Sequence, residues 1–491
     1  MPLNLASKTQ VSGHYFLRRR LAFAFQRRSV RMQTDRMRPQ RLMLMISALV
    51  GVLVCVGALV VGWLRPAGLV NDSKIVADRK TGTIFASVDG RLHPTTLLSA
   101  RLIAGEPLEP TFVSPEDLAK WPRGPVVGIE GAPLEPPVVS SPEVSRWALC
   151  DTASDSLSGR PLVTGIDGEL TLQDRARELP GNAAVVGVFD GQAYVISGGL
   201  RMAVDLSERA VTGPLGLDAA GPPVELPRAL VDAIPAGRPL VVPAVPQAGE
   251  PTTLDLGVPA VIGSVVVSQD VASGADRFYV VLADGVQPVS SVVAAMLRQR
   301  DSFGAAQPPR VSPDVLGQIP VREALDVAGY PQEPLKALNW RAEPVLCVAW
   351  ERGMSDREAR QRLLVGRALP ITAEQERHLV PLVISDKDRG TLADRVLLGD
   401  GAATFVSTTG ASADSARRET MWLINESGVR YGVPFDGDSA KALGLGADQL
   451  RLAPWPLLRV WPAGPELSRQ AAMTVHDTVT GPAAPMTKQG G

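Results

Sequence analysis

The chain of 491 residues is short of reactive side chains: four histidines, three cysteines, eight lysines against 42 arginines, and 5% aromatics. Each shortage removes a class of chemistry. No Gly-Lys dipeptide occurs, so no P-loop can present backbone amides and a lysine to phosphates. H-E-x-x-H, G-x-S-x-G and EF-hand patterns are absent as well. His14 and His476 lie towards the ends, which leaves His93 and His378 as single residues outside any motif. His93, in Leu92-His93-Pro94, reads as a packing residue, and Asp436-Gly437-Asp438 as a turn. Nothing supplies four metal ligands. No catalytic, cofactor-binding or metal-binding residue is expected.

The net charge of −1 is a cancellation between two unequal parts. Residues 1–41 carry ten Lys or Arg and one acid, Asp35, whereas residues 65–491 carry 40 bases and 50 acids. A basic arm beside an acidic body points to two environments, and the acidic body argues against nucleic acid as a partner.

Between them, residues 42–64 run 23 positions without a charge. As a helix this spans about 34 Å, enough for a hydrocarbon core of about 30 Å. Arg41 and Arg65 bracket it, with Trp63 at interface depth. A cleaved signal peptide would have a shorter apolar core, about 7–15 residues, and a small-x-small site after it. The crowding of Arg on the N-terminal side places residues 1–41 in the cytoplasm and the body outside. Ser47, Gly51, Cys55, Ala58 and Gly62 form a small-residue stripe, expected to pack on another helix; plain contact with lipid is the alternative. In the arm, Phe16, Leu17, Leu21, Ala24 and Phe25 share one face of a helix. Arg18, Arg19, Arg20, Arg27 and Arg28 occupy most of the rest. This reads as a docking helix for an anionic leaflet or an acidic partner, against a tail that only sets orientation.

Cys55 falls in the span. Cys150 and Cys347 fall outside it, in Trp147-Ala148-Leu149-Cys150 and Val345-Leu346-Cys347-Val348-Ala349-Trp350. Two cysteines in apolar, strand-like runs of an exported body suggest a disulfide, and two unpaired buried thiols remain the alternative.

The body repeats irregularly. An aromatic residue is followed by a glycine at Phe85 and Gly90, Tyr194 and Gly199, Tyr279 and Gly285, Trp422 and Gly428. Proline pairs follow at Pro115 and Pro122, Pro227 and Pro235, Pro313 and Pro320, Pro454 and Pro462. From each glycine to the second proline the distance is 32, 36, 35 or 34 residues, while the glycines themselves are 109, 86 and 143 apart. A hairpin turn at glycine and helical turns opened by proline fit this pattern. The expected fold is a single-pass membrane protein with an α+β periplasmic body: a β-rich central core with four interleaved α+β repeat units, because units this small bury little core alone. The expected order is arm 1–41, span 42–64 and neck 65–84, then repeats at 85–133, 193–246, 278–331 and 421–475. Central-domain parts lie between them at 134–192, 247–277 and 332–420, and a loose tail follows at 476–491.

Several stretches resemble the EccB family, a membrane component of the ESX (type VII) secretion systems of mycobacteria and related actinobacteria. They are Thr9-Gln10-Val11-Ser12-Gly13-His14-Tyr15-Phe16-Leu17 with Arg19-Arg20, Arg31-Met32 and Asp35; Leu92-His93-Pro94 with Ser99-Ala100-Arg101-Leu102; and Trp147-Ala148-Leu149-Cys150-Asp151-Thr152. Near the C-terminus, Gly428-Val429-Arg430-Tyr431-Gly432-Val433-Pro434, Ala453-Pro454-Trp455 and His476-Asp477-Thr478 match too. Arg36 departs from the proline common in the family. The resemblance implies a single span in the inner (plasma) membrane, repeat units around a central periplasmic domain, and a disulfide that maps onto Cys150 and Cys347. It implies a large channel complex with EccC (the FtsK/SpoIIIE-like motor), EccD and EccE. It also carries the label ATPase, which the missing P-loop does not support. The leading expectation is a structural component that stabilises the secretion channel through periplasmic self-association. A nucleotide hydrolase with an unfamiliar site and a cell-wall module gripping peptidoglycan are the alternatives.

Overall fold

The computed structural model describes residues 7–28, 37–64, 70, 73–141, 143–153, 161–399 and 403–476. The tail after His476 and residues 65–69, 71 and 72 of the expected neck lie outside them. The arm forms the helix Lys8–Arg27, opened by Ser7, whose hydroxyl accepts from the Gln10 N–H while the Gln10 side chain accepts from the Ser7 N–H. A second helix, Met37–Leu64, holds Pro39 in its first turn, where a missing N–H costs nothing. Among the described residues it is the one helix long and apolar enough to cross a membrane, over Leu42–Val60.

Each of the four units starts as a three-stranded antiparallel meander. The strands are Ile75–Asp78, Ile84–Val88 and Arg91–Thr95 in the first, and Ala183–Phe189, Gln192–Ser197 and Leu200–Val204 in the second. They are Val265–Gln269, Asp276–Val281 and Val286–Val289 in the third, and Ala403–Thr409, Met421–Ile424 and Arg430–Val433 in the fourth. The chain then crosses over through a helix, Leu97–Ala104, Arg209–Thr212, Ser291–Arg300 or Asp438–Ala442. It returns parallel to the first strand as Thr111–Val113, Val224–Glu225 or Arg451–Pro454, since a parallel neighbour requires a crossover. In the third unit this return is a single bridge of Arg310 to Val267.

The constant glycine-to-proline distance has a direct cause. The glycine lies at the turn between the second and third strands, in the left-handed region at Gly90, Gly199 and Gly428. The second proline lies beside the third strand. Amides of Leu92, Arg201, Val286 and Arg430 donate to the carbonyls of Pro122, Pro235, Pro320 and Pro462 at 2.9–3.0 Å. Two residues on, the amides of Gly124, Gly237, Arg322 and Gly464 donate back to those four residues' carbonyls at 2.8–3.1 Å. A proline suits a place on a sheet edge that only has to accept. Three of the four returns use glycine because a Cβ at Gly124, Gly237 or Gly464 would meet His93, Met202 or Tyr431 at under 3 Å. The first prolines differ from expectation: Pro115 and Pro313 open their helical turns, but Pro227 and Pro454 sit one residue earlier, at the cap.

Every unit begins one strand before its aromatic residue. The first strands therefore fall in segments assigned above to the neck (65–84) and to the three central parts. They are flanked on both sides, so they lack the clean polar–apolar alternation of a half-exposed strand, and no turn residue marks them. The segment 247–277 joins the central sheet nowhere. It supplies Val265–Gln269 and lays Leu254, Leu256 and Val258 over the third unit's own core.

The central sheet runs Val380–Pro381, Arg395–Leu398, Leu162–Asp167, Val144–Thr152, Val345–Gly353, Arg360–Gly366, Ala176–Glu178. Its middle is the antiparallel pair Val144–Thr152 and Val345–Gly353, with Cys150 opposite Cys347 and Trp147 opposite Trp350. Strand alternation splits them between two faces. Trp147, Leu149, Val348 and Trp350 pack against the helical turns Arg228–Ala233 and Trp455–Leu458 of the second and fourth units. Cys150, Cys347, Ala148 and Ala349 lie on the other face, under Leu369 and Ile371. The first unit packs on the fourth and the third on the second, each pair sharing one apolar core.

The two halves of the body share the order unit, two-residue strand, two long core strands, unit; one further core strand, Ala176–Glu178, precedes the second unit, and two, Val380–Pro381 and Arg395–Leu398, precede the fourth. The step of 197 residues from Cys150 to Cys347 also carries Val139–Ser140 onto Lys336–Ala337. Because Cys150 faces its own equivalent, a local two-fold axis passes through the disulfide.

The sulfurs of Cys150 and Cys347 are bonded, with Cα atoms 4.0 Å apart and both residues fully buried. Closing a loop of 197 residues stabilises the fold by about 5 kcal/mol as an upper figure. Replacing both cysteines by serine should lower the midpoint of thermal unfolding by several degrees or more, and the effect of a reductant should vanish in that variant. An unchanged midpoint would remove the disulfide from the list of what holds the core.

Candidate functional site

Among the described residues, no three or more His, Cys, Asp or Glu side chains gather where a metal could be held. The residues singled out from the sequence are scattered. His93 places Nδ1 3.1 Å from the Pro125 carbonyl oxygen, with its ring against Gly124. His378 is exposed at the end of a helical turn. Asp436 caps the helix Asp438–Ala442, accepting from the Asp438 and Ser439 amides and the Ser439 hydroxyl. Burial alone would raise its pKa, but these hydrogen bonds bring it below the ordinary carboxylate value. Ser47, Gly51, Cys55 and Ala58 are exposed along the apolar helix; Gly62 is in the same helix, with its surroundings outside the described residues. Arg18, Arg19 and Arg20 are exposed on the arm helix, Arg27 is its last residue, and Arg28 closes it in the left-handed region.

What the body concentrates instead is buried polar chemistry at its joints. Asp167 ends a core strand and meets Arg451 of the fourth unit at 3.0 Å, with the two side chains 3% and 5% exposed. The Thr404 hydroxyl donates to the same carboxylate oxygen at 2.6 Å and accepts from Arg451 at 2.8 Å. The triad spans one core strand and two strands of the fourth unit, so it fixes their register. Beside it the Trp147 ring N–H donates to the Leu452 carbonyl at 3.0 Å, and Trp147 meets Trp461 edge-on at 6.1 Å. Arg430 lies over the Trp422 and Trp455 rings at 4.2 and 5.1 Å and donates to the Trp461 carbonyl. Burial brings its pKa down to about 10, which leaves it charged at neutral pH.

The joint with the second unit is different, because its acid has no cation beside it among the described residues. Asp151 follows the disulfide and is 3% exposed, with one carboxylate oxygen unpartnered. It looks into a small apolar cleft lined by Val185, Val224, Leu226 and Trp340. Burial raises its pKa well above the ordinary value, and the nearby charges of Asp394 and Glu225 raise it further; only a backbone hydrogen bond from Thr152 opposes them. Sequence reading passed over both joints. The available signal was a lone acid in an apolar strand run, as in Ala148-Leu149-Cys150-Asp151, since such a run is buried on both faces.

The family model described as "Type VII secretion system ESX-1, transport TM domain B" matches residues 3–481. The chain is 44% identical to the ESX-2 secretion system ATPase EccB2 of Mycobacterium tuberculosis, over 98% of this chain and 97% of that protein. It is 39% identical to the ESX-5 secretion system ATPase EccB5 of the same organism, over 97% and 95%. Among solved structures, a chain of the intact ESX-5 inner membrane complex is similar at 37% identity and TM-score 0.76, with 99% of each chain covered. A chain of the EccB3 dimer from the ESX-3 core complex is similar at 36% and 0.70, covering 82% of this chain and all of that one.

Two measurements test the joints. Arg451→Met removes the guanidinium from the buried Asp167 carboxylate and should cost about 3–5 kcal/mol in denaturant unfolding; a loss under 1 kcal/mol would make the triad incidental. For Asp151 the folded state binds the proton more tightly than the unfolded chain does. Its contribution is therefore fully present below the ordinary carboxylate pKa and is lost as pH rises towards the folded value. Asp151→Asn cannot ionise, so it should raise the unfolding midpoint at neutral pH and flatten the gain in stability on mild acidification. A variant less stable than the parent at neutral pH would contradict the assignment.

Proposed function

Because the chain belongs to the EccB family of type VII secretion proteins, we propose that it is a structural component of an ESX inner membrane complex that holds the channel together by associating outside the membrane. The observation that carries this reading is the division of the chain: one apolar helix of membrane length, Leu42–Val60, separates a basic helical arm from a body built of four sheet units. Ten bases in residues 1–41 put the arm on the cytoplasmic side and the body in the periplasm. On the cytoplasmic side the arm docks on the anionic leaflet or an acidic partner, and the EccC, EccD and EccE components are its natural neighbours. The buried triad of Asp167, Thr404 and Arg451 serves a joint within the body, as expected of a rigid scaffold.

The relatives' names also carry the word ATPase, and hydrolysis is the second reading. It meets two obstacles: the sequence holds no Gly-Lys dipeptide, and the body lies outside the compartment that supplies ATP. One preparation discriminates. The tagged full chain, extracted in mild detergent, should migrate in an assembly several times larger than one chain, and its ATP turnover should match that of a heat-inactivated control. Migration as a lone monomer, with secretion intact in a deletion strain, would overturn the structural reading. Turnover that follows the purified body would establish the enzymatic one.

A further inference from the structure

The four units offer an internal comparison. Each has an aromatic residue in its second strand, at Phe85, Tyr194, Tyr279 and Trp422, and three of these four carry an arginine on the ring. Arg123 lies over Phe85 at 4.3 Å, Arg201 over Tyr194 at 5.5 Å, and Arg430 over Trp422 at 4.2 Å. These arginines come from two equivalent positions, which face each other across the bridge between the third strand and the returning chain. The bridged pairs are Leu92 with Arg123, Arg201 with Ala236, and Arg430 with Ala463. In each, one partner is arginine and the other is aliphatic.

The third unit breaks the rule, for its bridged pair is Val286 with Val321. Where the sibling units hold a guanidinium, it has an open groove of about 450 Å³, lined by Tyr279, Val286, Leu316 and Val321. The lip is apolar and exposed, with Val271 85% and Val321 60% accessible. Asp270 and Arg277 also line the groove, paired with each other at 2.7 Å, and no arginine is found over the Tyr279 ring among the described residues; Arg310 and Arg322 pair with Asp276 and Asp284.

We propose that the third unit's groove is a docking site for an arginine side chain of a second copy of this chain, which completes over Tyr279 the stack that the other units complete internally. The sibling units define the occupant's chemistry: a planar guanidinium on a ring face, with an aliphatic neighbour across the bridge. The exposed valines at the lip are what an approaching surface would cover. The choice of a second copy rests on the proposed self-association, and it names the surface involved.

The test fills the groove from within. Val321 is equivalent to Arg123, so Val321→Arg should place its own guanidinium over Tyr279 and exclude the incoming one. Tyr279→Leu removes the platform without filling it. Both full-length variants, purified in detergent beside the parent, are followed by sedimentation over a concentration series and by thermal unfolding. Val321→Arg should weaken self-association roughly tenfold, about the strength of one desolvated cation–π contact, while its melting midpoint stays level or rises. Tyr279→Leu should weaken association similarly. If the parent associates and Val321→Arg associates equally well, the groove assignment fails. If the variant self-associates normally but drops out of the larger complex, the occupant belongs to another component and the second-copy proposal fails. A parent that is monomeric at every concentration would instead remove the self-association on which the proposal rests.

Discussion

The body depends on one strand pair. Val144–Thr152 and Val345–Gly353 are the longest strands of the central sheet and come from opposite halves of the chain. Everything else hangs from their two faces. On one, the tryptophans meet helical turns from two units, and on the other the disulfide is sealed by loop residues. The pairing must close a loop of about two hundred residues, an entropic cost that grows only with the logarithm of length. Nine paired residues and a covalent bond offset it, and the bond also prevents the slippage that would turn the apolar set to the wrong face.

The units cannot stand alone. A meander of about 50 residues with one crossover helix buries little core of its own, and the face under that helix is completed by a neighbouring unit. The solution is pairing across halves. Ile75 and Leu98 of the first unit share a core with Phe405 and Tyr431 of the fourth. Met202 and Val211 of the second share one with Val293 and Leu297 of the third. The short strands Val139–Ser140 and Lys336–Ala337 reinforce this exchange, since each leaves one half to extend a sheet in the other.

Much of this was legible in the sequence, and the limits follow from what each signal reports. Charge and apolar run length fixed the span, because a membrane imposes length and neutrality on the residues themselves. Glycine and the second proline marked the units, because a left-handed turn and an acceptor-only edge demand those residue types. The first strands were invisible for the opposite reason: flanked on both sides, Val265-Val266-Val267 reads like any buried run. The buried joints escaped as well. Asp167 and Arg451 are 284 residues apart, and nothing local says that two charges meet. The disulfide was suggested by its setting, whereas the two-fold relation it marks needed strand register to become visible.

That relation also explains how one unit came to differ from its siblings. The body has the geometry of a swapped dimer whose two copies are joined in one chain. In a true dimer, any residue placed over one aromatic platform would appear over its partner. In a fused chain the equivalent positions are independent: Leu92 and Arg123 stand in one half where Val286 and Val321 stand in the other. The same freedom separates the joints. The fourth unit is held to the core by a charged triad, while the second meets it across an acid whose charged form is disfavoured by burial. Desolvating Asp151 without a counter-charge costs stability at neutral pH, whereas Arg451 compensates Asp167 at any pH where both are ionised. The two joints therefore answer pH differently, and the acid without a counter-charge lies on the side of the second and third units, where the open groove lies.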